Sequence, residues 1–433
     1  MREVEFQALL LQCLHADPAL PEPSTLARLS PDDWVEFLDL AIRHRVTGSV
    51  SPRLRTQQRC ELVPEACLKR ANGVLRGTLL SNLRQQVGLV RVLKACAAAQ
   101  FQVMLLKGLW LAETVYRDLK ARSSLDIDIL VHPRDLPRFT AVARDLGFNV
   151  PPGVSDLRDI ASAANEFHLF HGSQGTSLDL HWNLTQSKLQ GPLDEETLWQ
   201  RAEKVTVAGQ SCLTLRLEDH LIYLCFHAAD HHHFTEVGPR ALLDVARLMD
   251  DPPRPLDWND VVARAHALGW SRGVWLLLDL AREHLGARPL QSALDALRPV
   301  DADDPVIRSA TMVTLFHGQR RDTSLGGNLV RLTGQSTARE RAALLWSRLF
   351  PPREQLATYF KTHVDDPALP LLYIRRLGHL IKRHGPKVAR LLRRDRAAVA
   401  NLERERVIER WLEQERHSTS SGNPFPAYFF AVA

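Results

Sequence analysis

The spacing of hydrophobic residues divides the chain into helical ends and a central segment in which helices and strands alternate. Up to about residue 99, apolar residues recur at the spacing of one helix face, and Ser30, followed by proline and two acids, is a typical helix start. From Phe101 the spacing changes to short apolar runs and strand-like alternation, with a helix after each of the first two strands. Glycine-containing turns at 172–175 and at Gly209 predict two hairpins, and helical spacing returns after residue 217. The strands expected in chain order are 101–106, 124–131, 166–171, 177–182, 204–207 and 211–215.

This order of elements predicts an α+β fold, in which a small mixed-sheet core is flanked by N- and C-terminal helical regions. A length of 433 residues suits two or three domains. We expect an N-terminal helical region at 1–99, the α/β core at 100–216, a second helical region at 217–345, and a basic helical extension with a tail at 346–433.

The composition is that of a globular protein, with 45% hydrophobic and 24% charged residues. The net charge of +5 is small for this length and does not by itself indicate a nucleic-acid-binding protein. Positive charge is concentrated at 375–396, where nine Lys and Arg residues accompany a single acid, Asp395. Apolar residues recur at helical spacing there, so we expect an amphipathic helix whose apolar face packs on the core. Contact of this segment with a membrane surface or with nucleic acid is the alternative.

Cysteine usage and the N-terminus bear on the compartment. None of the six cysteines falls in a C-x-x-C pair, and several lie in apolar helical surroundings, which is typical of buried thiols in a reducing environment. The first residues place acids ahead of a short apolar run, unlike a secretory signal. No stretch approaches the ~18 apolar residues that a membrane span requires. We therefore expect a cytoplasmic protein.

Two acids share one face of the second predicted strand. Asp126 and Asp128 alternate with aliphatic residues that face the other way, because side chains two apart on a strand point to the same side. Like charges this close repel each other unless a cation relieves them. Asp179 repeats the pattern on a hairpin strand, and three carboxylates on one sheet face suit Mg²⁺, which prefers oxygen ligands and shares them with phosphates. A solvated face of an edge strand is the alternative interpretation of Asp126 and Asp128.

These segments resemble the polymerase-β-like nucleotidyltransferase superfamily, in which a glycine-containing turn precedes a D-x-D strand and a third acid comes later. The sequence is more closely similar to a bacterial family of uncharacterised nucleotidyltransferases that carries Lys-Gly in this turn. The resemblance extends from about residue 40 to about residue 300. It rests on Leu105-Leu106-Lys107-Gly108, Tyr116, Arg122, the segment from Asp126 to Val131, and the segment from Leu178 to Trp182.

The resemblance implies a mechanism for the matching residues. Asp126 and Asp128 would bridge two Mg²⁺ ions, one on the triphosphate and one at an acceptor hydroxyl, and Asp179 would ligate the second ion. Attack on the α-phosphate of ATP or of another nucleoside triphosphate would release pyrophosphate. Gly108 would let the backbone approach the phosphates closely.

The turn departs from the superfamily pattern, which usually carries Gly-Ser or Gly-Gly. Here Lys107-Gly108-Leu109 has no hydroxyl, so we expect Lys107 to replace it as a point charge on the phosphates, with little contribution to packing. Arg122 is a second candidate phosphate contact, and a surface arginine is the alternative. If this turn does not hold a nucleotide, the protein is a catalytically silent nucleotidyltransferase fold that serves as a binding or scaffold module.

Histidines form a further set of candidate residues. His181 lies on the same strand face as Asp179, so it either contacts substrate or makes a structural hydrogen bond. His227 and His231 lie four residues apart, so they either border the cleft on the substrate side or bind a metal such as zinc, as in a metal-dependent hydrolase centred on 227–233. The leading function is Mg²⁺-dependent transfer of a nucleoside monophosphate, AMP from ATP first, to an unidentified hydroxyl on a small molecule, a protein or an RNA end.

Overall fold

The computed structural model describes residues 3–150, 153–159, 166–185, 195–235, 237–317, 367–393 and 395–420, together with scattered positions between 346 and 360. A group of helices forms the N-terminal region, and the last of them is by far the longest. These helices are α1 (Glu3–Leu14), α2 (Pro23–Leu26), α3 (Pro31–Arg43), α4 (Thr47–Leu54), α5 (Gln57–Cys60) and α6 (Glu65–Ala98).

Helix α3 begins with a capping box at the predicted position. Ser30 Oγ accepts a hydrogen bond from the Asp33 amide at 3.2 Å, and the Asp33 carboxylate accepts one from the Ser30 amide at 2.9 Å. Pro31 occupies the first helical position, where an amide hydrogen would have no helical partner. The predicted helix start is therefore confirmed.

Within the described residues, one mixed sheet is built from β1 (Val103–Leu105), β2 (Ile127–Val131), β3 (Glu166–His171), β4 (Thr176–His181), β5 (Glu203–Val207) and β6 (Gln210–Thr214). The strand order across the sheet is β3-β4-β2-β1-β6-β5. β1 runs antiparallel to β2 and parallel to β6, and β2 runs parallel to β4. The hairpins β3–β4 and β5–β6 are antiparallel and occupy the two edges. The predicted α+β class and both predicted hairpins are confirmed.

The central strands are shorter than the sequence predicts. Every residue of β1 and β2 is buried, which explains their continuous apolar runs. β2 begins at Ile127, so Asp126 immediately precedes the strand and does not lie within it. The antiparallel contact between β1 and β2 continues one residue past β1, because the Leu106 amide donates a hydrogen bond to the Asp128 carbonyl at 2.9 Å.

Two helices of the core continue into a π-helical turn, a widened form that is frequent at functional sites. α7 (Lys107–Trp110) continues into Leu111–Val115, and α10 (Leu217–Phe226) continues into His227–His231. The other helices that follow β2 are α8 (Leu136–Asp145), α9 (Glu195–Arg201), α11 (Arg240–Asp250), α12 (Trp258–Leu268), α13 (Ser271–Leu285), α14 (Gln291–Leu297), α15 (Pro305–His317), α16 (Leu369–Leu392) and α17 (Arg396–Ser420).

One hydrophobic core joins the helices to the sheet. Buried apolar side chains from Phe6 in α1 to Leu412 in α17 form a single continuous cluster. α6 packs against β4 and β6, and α13 packs between α11 and α17. The N-terminal helices and the sheet therefore share buried surface. The domain boundaries expected near residues 99, 216 and 345 stay a prediction.

Helix α16 leaves much of its apolar face exposed. Leu372 packs beside Leu369 and Leu356 in a small cluster separate from the main core. Four apolar side chains of this helix are exposed, so the expectation that the apolar face packs on the core is wrong for them. They are Leu371, Ile374, Leu377 and Ile381. Contact of residues 375–396 with a membrane or nucleic acid stays a prediction. In the described part of the chain, no helix is both long and apolar enough to cross a bilayer.

Candidate active site

Three carboxylates converge at the centre of the sheet. Asp128 in β2 lies directly beside Asp179 in β4, because the two parallel strands pair in this register, and Asp126 comes just before β2. One carboxylate oxygen of each residue lies within 4.8 Å of the other two. In the part of the chain that the structure describes, no other three His, Cys, Asp or Glu side chains are arranged in this way. The predicted proximity of Asp179 to the first two acids is confirmed.

Asp126 and Asp128 have opposite electrostatic environments. Burial, followed by the charges of Asp128 and Asp179, raises the pKa of Asp126 to about 6. Asp128 is only 2% exposed, and burial alone would raise its pKa too. The Lys107 ammonium and the His181 imidazole outweigh that burial and hold the pKa of Asp128 below its usual range. Asp126 therefore carries the negative charge that is least compensated.

The turn after β1 brings its backbone against the acids. Gly108 has φ 33° and ψ −109°, a conformation that residues with a Cβ atom rarely adopt. A Cβ atom here would lie 2.8 Å from Ser124 Oγ and 3.1 Å from Asp128 Oδ2. Conformation and space both require glycine. The Ser124 hydroxyl thus lies beside a turn that has no hydroxyl of its own.

Lys107 extends from the turn into the triad. Its Nζ lies 3.2 Å from Asp128 Oδ1 and donates a hydrogen bond to His227 Nε2 at 2.7 Å. Burial acts to lower the pKa of Lys107, but the Asp128 charge opposes this effect and the pKa is raised above its usual value. The side chain is only 16% exposed, so the expectation that it contributes little to packing is wrong. It supplies the positive charge that the buried Asp128 requires.

Arg122 lies behind the turn in a buried ion pair. Its Nε and Nη2 donate to the two carboxylate oxygens of Asp244, each at 3.0 Å, and its Nη1 donates to the Gly108 carbonyl at 2.9 Å. The Tyr116 hydroxyl donates to Asp244 Oδ1 at 2.7 Å. Arg122 thereby fixes the Gly108 turn to α11. A direct contact between Arg122 and phosphate stays a prediction.

A family model described as an uncharacterised nucleotidyltransferase matches residues 30–286. This span covers more than half of the chain and includes the triad, the Lys-Gly turn and the Arg122–Asp244 pair. The chain belongs to this nucleotidyltransferase family. No match was found among curated proteins or among solved structures.

Two histidines flank the acids of the triad. The His168 Nδ1 bonds to Asp179, and this hydrogen bond raises the pKa of His168. His181 is buried between two acids, with Nε2 3.7 Å from Asp128 Oδ1 and Nδ1 3.3 Å from Glu166 Oε2. Both interpretations of His181, contact with substrate and a structural hydrogen bond, stay predictions.

His227, in the second π-helical turn, contacts Lys107 and packs against two neighbouring histidines. The rings of His227 and His231 stack with centroids 5.4 Å apart, and His232 meets His227 edge-on at 4.5 Å. Burial lowers the pKa of His227 well below its usual value, so it is neutral and accepts the hydrogen bond from Lys107. In the described chain these residues do not belong to a group of three metal ligands. A metal-dependent hydrolase that uses His227 and His231 stays a prediction.

Helix α6 holds the segment that leads into the triad. Asn82, which is fully buried, donates to the carbonyls of Leu119 at 2.7 Å and Arg122 at 2.8 Å, and accepts from the Ser124 amide at 2.9 Å. Gln85 Nε2 donates to the Leu125 carbonyl at 2.7 Å. These amides replace the strand pairing that this segment lacks.

Three supporting residues were not among the predicted site residues. His168 was within reach of sequence reasoning, because a hairpin with a turn at 172–175 pairs residue 168 with Asp179. Asp244 and Asn82 had no such signal. Each lies in a helix whose local pattern shows only amphipathic packing, and the contact with the site depends on how distant elements pack.

Proposed function

We propose that the protein transfers a nucleoside monophosphate to a hydroxyl acceptor, with AMP from ATP as the first candidate. The observation that carries this proposal is the convergence of Asp126, Asp128 and Asp179 within 4.8 Å beside a glycine turn. Membership of a nucleotidyltransferase family supports it. The six cysteines form no disulfide, which supports the cytoplasmic location expected from the sequence.

The triad fits Mg²⁺ in its donor chemistry. All three donors are carboxylates, and Mg²⁺ prefers oxygen ligands and coordinates few protein groups beside the phosphates of its substrate. Asp126 and Asp128 would hold the ion of the triphosphate and, together with Asp179, an ion beside the acceptor. When bound, Mg²⁺ would neutralise phosphate charge and favour ionisation of the acceptor hydroxyl.

The protein residues have distinct parts in the transfer. The oxygen of the acceptor hydroxyl forms a bond to the α-phosphorus, the bond from the α-phosphorus to the pyrophosphate oxygen breaks, and pyrophosphate leaves with that electron pair. The hydroxyl proton passes to the Asp179 carboxylate. Gly108 allows the backbone to approach the phosphates, and Arg122 holds that turn through its carbonyl.

The test is a search for a labelled acceptor. Full-length protein is incubated with cell extract, Mg²⁺ and ATP, GTP, CTP or UTP, each labelled at the α-phosphate. We expect one nucleotide to label a product in wild type and not in Asp179→Asn. Absence of any product with all four nucleotides contradicts the transferase and favours the second function.

The second function is a silent nucleotidyltransferase fold that acts as a binding or scaffold module. The observation in its favour is that Lys107 pairs with Asp128 and that its turn has no hydroxyl of its own. This function predicts nucleotide binding, or binding of another partner, without release of pyrophosphate. A pyrophosphate assay in the labelled extract separates the two.

A further inference from the structure

Arg240 begins α11 and directs its guanidinium to the segment that leads into β2. Its Nη1 donates to the Ser123 carbonyl at 3.3 Å, three residues before Asp126. Burial dominates the pKa of Asp126, and the positive charge of Arg240 acts against it. Arg240 therefore lies within electrostatic reach of the least compensated acid of the triad.

Arg45 reaches the same region from the junction of α3 and α4. Gly48 packs so closely on the chain after α7 that a Cβ atom there would lie 2.3 Å from the Lys120 carbonyl oxygen and 2.6 Å from the Ala121 Cα. This contact places the start of α4, and Arg45 just before it, against the loop that leads to Asp126. The surrounding protein and then Arg122 lower the pKa of Arg45, whereas the charge of Asp126 opposes this shift.

Among the described residues, two arginines of this region have no carboxylate partner of their own. Burial, followed by the charge of Arg122, lowers the pKa of Arg240 to about 10, and the charge of Arg45 adds to this effect. Arg122 is balanced by Asp244. In the described chain neither Arg45 nor Arg240 forms an ion pair with an acid. A guanidinium group that has no ion-pair partner is available to bind an anion.

The anion that fits is the end of a triphosphate. Lys107, the lysine of the turn, already contacts Asp128 and His227, so the turn itself offers little free positive charge to phosphates. We propose that Arg45 and Arg240 bind the terminal phosphates of the nucleoside triphosphate beside Asp126. A guanidinium donates two parallel hydrogen bonds to one phosphate. This assignment rests on the proposed function and names the residues that distinguish a triphosphate from a monophosphate.

Calorimetric titration of the full-length protein tests the proposal. ATP and AMP, each with Mg²⁺, are titrated into wild type, Arg45→Gln, Arg240→Gln and the control Arg43→Gln, which removes an exposed arginine two residues from Arg45. We expect Arg45→Gln and Arg240→Gln each to weaken ATP binding by about tenfold or more, because each loses charge-assisted bonds to phosphate. AMP binding by these variants, and ATP binding by Arg43→Gln, should change by less than about twofold.

Unchanged ATP affinity in both variants would overturn the assignment while leaving the proposed function intact. An equal loss of ATP and AMP affinity would also overturn it, because that result indicates a structural role. Arg45→Gln alters an exposed residue and carries the test if Arg240→Gln does not fold. If wild type binds no nucleotide, the proposed function fails, and inorganic tripolyphosphate becomes the probe. Tripolyphosphate binding that the two variants lose supports the arginine site, and no binding by wild type overturns it.

Discussion

At the triad, three residues of one chemical type have different partners. Asp128 is buried beside the Lys107 ammonium, Asp179 is bonded to His168, and Asp126 faces mainly other acids. A buried carboxylate with a cation is stable, whereas a carboxylate among like charges is not. Replacement by asparagine should therefore raise the free energy of unfolding at Asp126 and lower it at Asp128.

The first prediction concerns pH. The pKa of Asp126 is about 6 in the folded protein against its usual 3.8, so between about pH 4 and about pH 6 the folded state binds more protons than the unfolded state. The free energy of unfolding of metal-free protein should therefore fall as pH rises through this window, by on the order of 1–2 kcal/mol after solvent screening. The lowered pKa of Asp128 acts below this window and in the opposite direction.

Urea denaturation of wild type and Asp126→Asn at half-unit pH steps measures the contribution of Asp126 to the pH dependence of the free energy of unfolding. The free energy of unfolding of Asp126→Asn should lack this fall with rising pH. At pH 7 the variant should therefore be more stable than wild type. Identical pH profiles for both proteins would show that Asp126 is not held among uncompensated negative charge.

The second prediction concerns Gly108. Alanine at this position would adopt an unfavourable φ and press on Ser124 Oγ and Asp128 Oδ2, so Gly108→Ala should lower stability by roughly 1–3 kcal/mol. It should also weaken Mg²⁺-dependent nucleotide binding. Gly77→Ala in α6 is the matched control, because a Cβ atom there meets nothing within 4 Å, and it should stabilise the helix by about 0.5–1 kcal/mol. Equal thermal melting of the two variants would contradict the close packing of the turn.

The third prediction separates the acids by role. Asp179→Asn should keep nucleotide affinity within about threefold and abolish transfer, because its interaction is realised mainly in the transition state. Asp126→Asn should lose both. Asp128→Asn should lose both and also destabilise the protein by about 3–5 kcal/mol, because Lys107 is then buried without its partner. Normal transfer by Asp179→Asn, or loss of its nucleotide affinity to the extent seen in Asp126→Asn, would contradict this division.

At the scale of elements, the sequence predicted the structures that depend on interactions between residues close together in the chain. The capping box at Ser30 and the register of the β3–β4 hairpin depend on residues a few positions apart, and both follow the sequence. The D-x-D pattern identified the acids, but not that β2 begins after Asp126. The bond from Arg122 to Asp244 joins residues 122 positions apart, so only the packing of α11 against the turn creates it.

The fourth prediction tests α6 as the support of the site. Asn82→Ala removes three hydrogen bonds and leaves two carbonyls and one amide without a partner in the interior, so it should cost roughly 2–4 kcal/mol. It should also weaken Mg²⁺ binding, because the segment before Asp126 loses its anchor. Leu80→Ala, at an exposed position of the same helix, should change stability by less than about 0.5 kcal/mol. Asn82→Ala with unaltered Mg²⁺ affinity would show that the sheet alone positions the acids.

For the whole molecule, the site draws on helices far outside the predicted α/β core. Arg45 lies before the sheet in sequence and Asp244 lies after it, and both fall within the family-matched span of 30–286. One hydrophobic core connects these helices to the sheet. The sequence pattern located the three acids of the triad. The charged side chains around them are brought there by tertiary packing and belong to no sequence motif.

The central claim is that the triad holds a divalent cation together with a nucleoside triphosphate. Differential scanning calorimetry of the full-length protein, with millimolar Mg²⁺, ATP or both, tests it directly. Both ligands together should raise the melting temperature by more than the sum of the separate effects, since ligand at 100 times its Kd contributes about 2.7 kcal/mol. The joint effect should vanish in Asp126→Asn. A wild-type protein that melts at the same temperature with and without the pair of ligands would contradict the account.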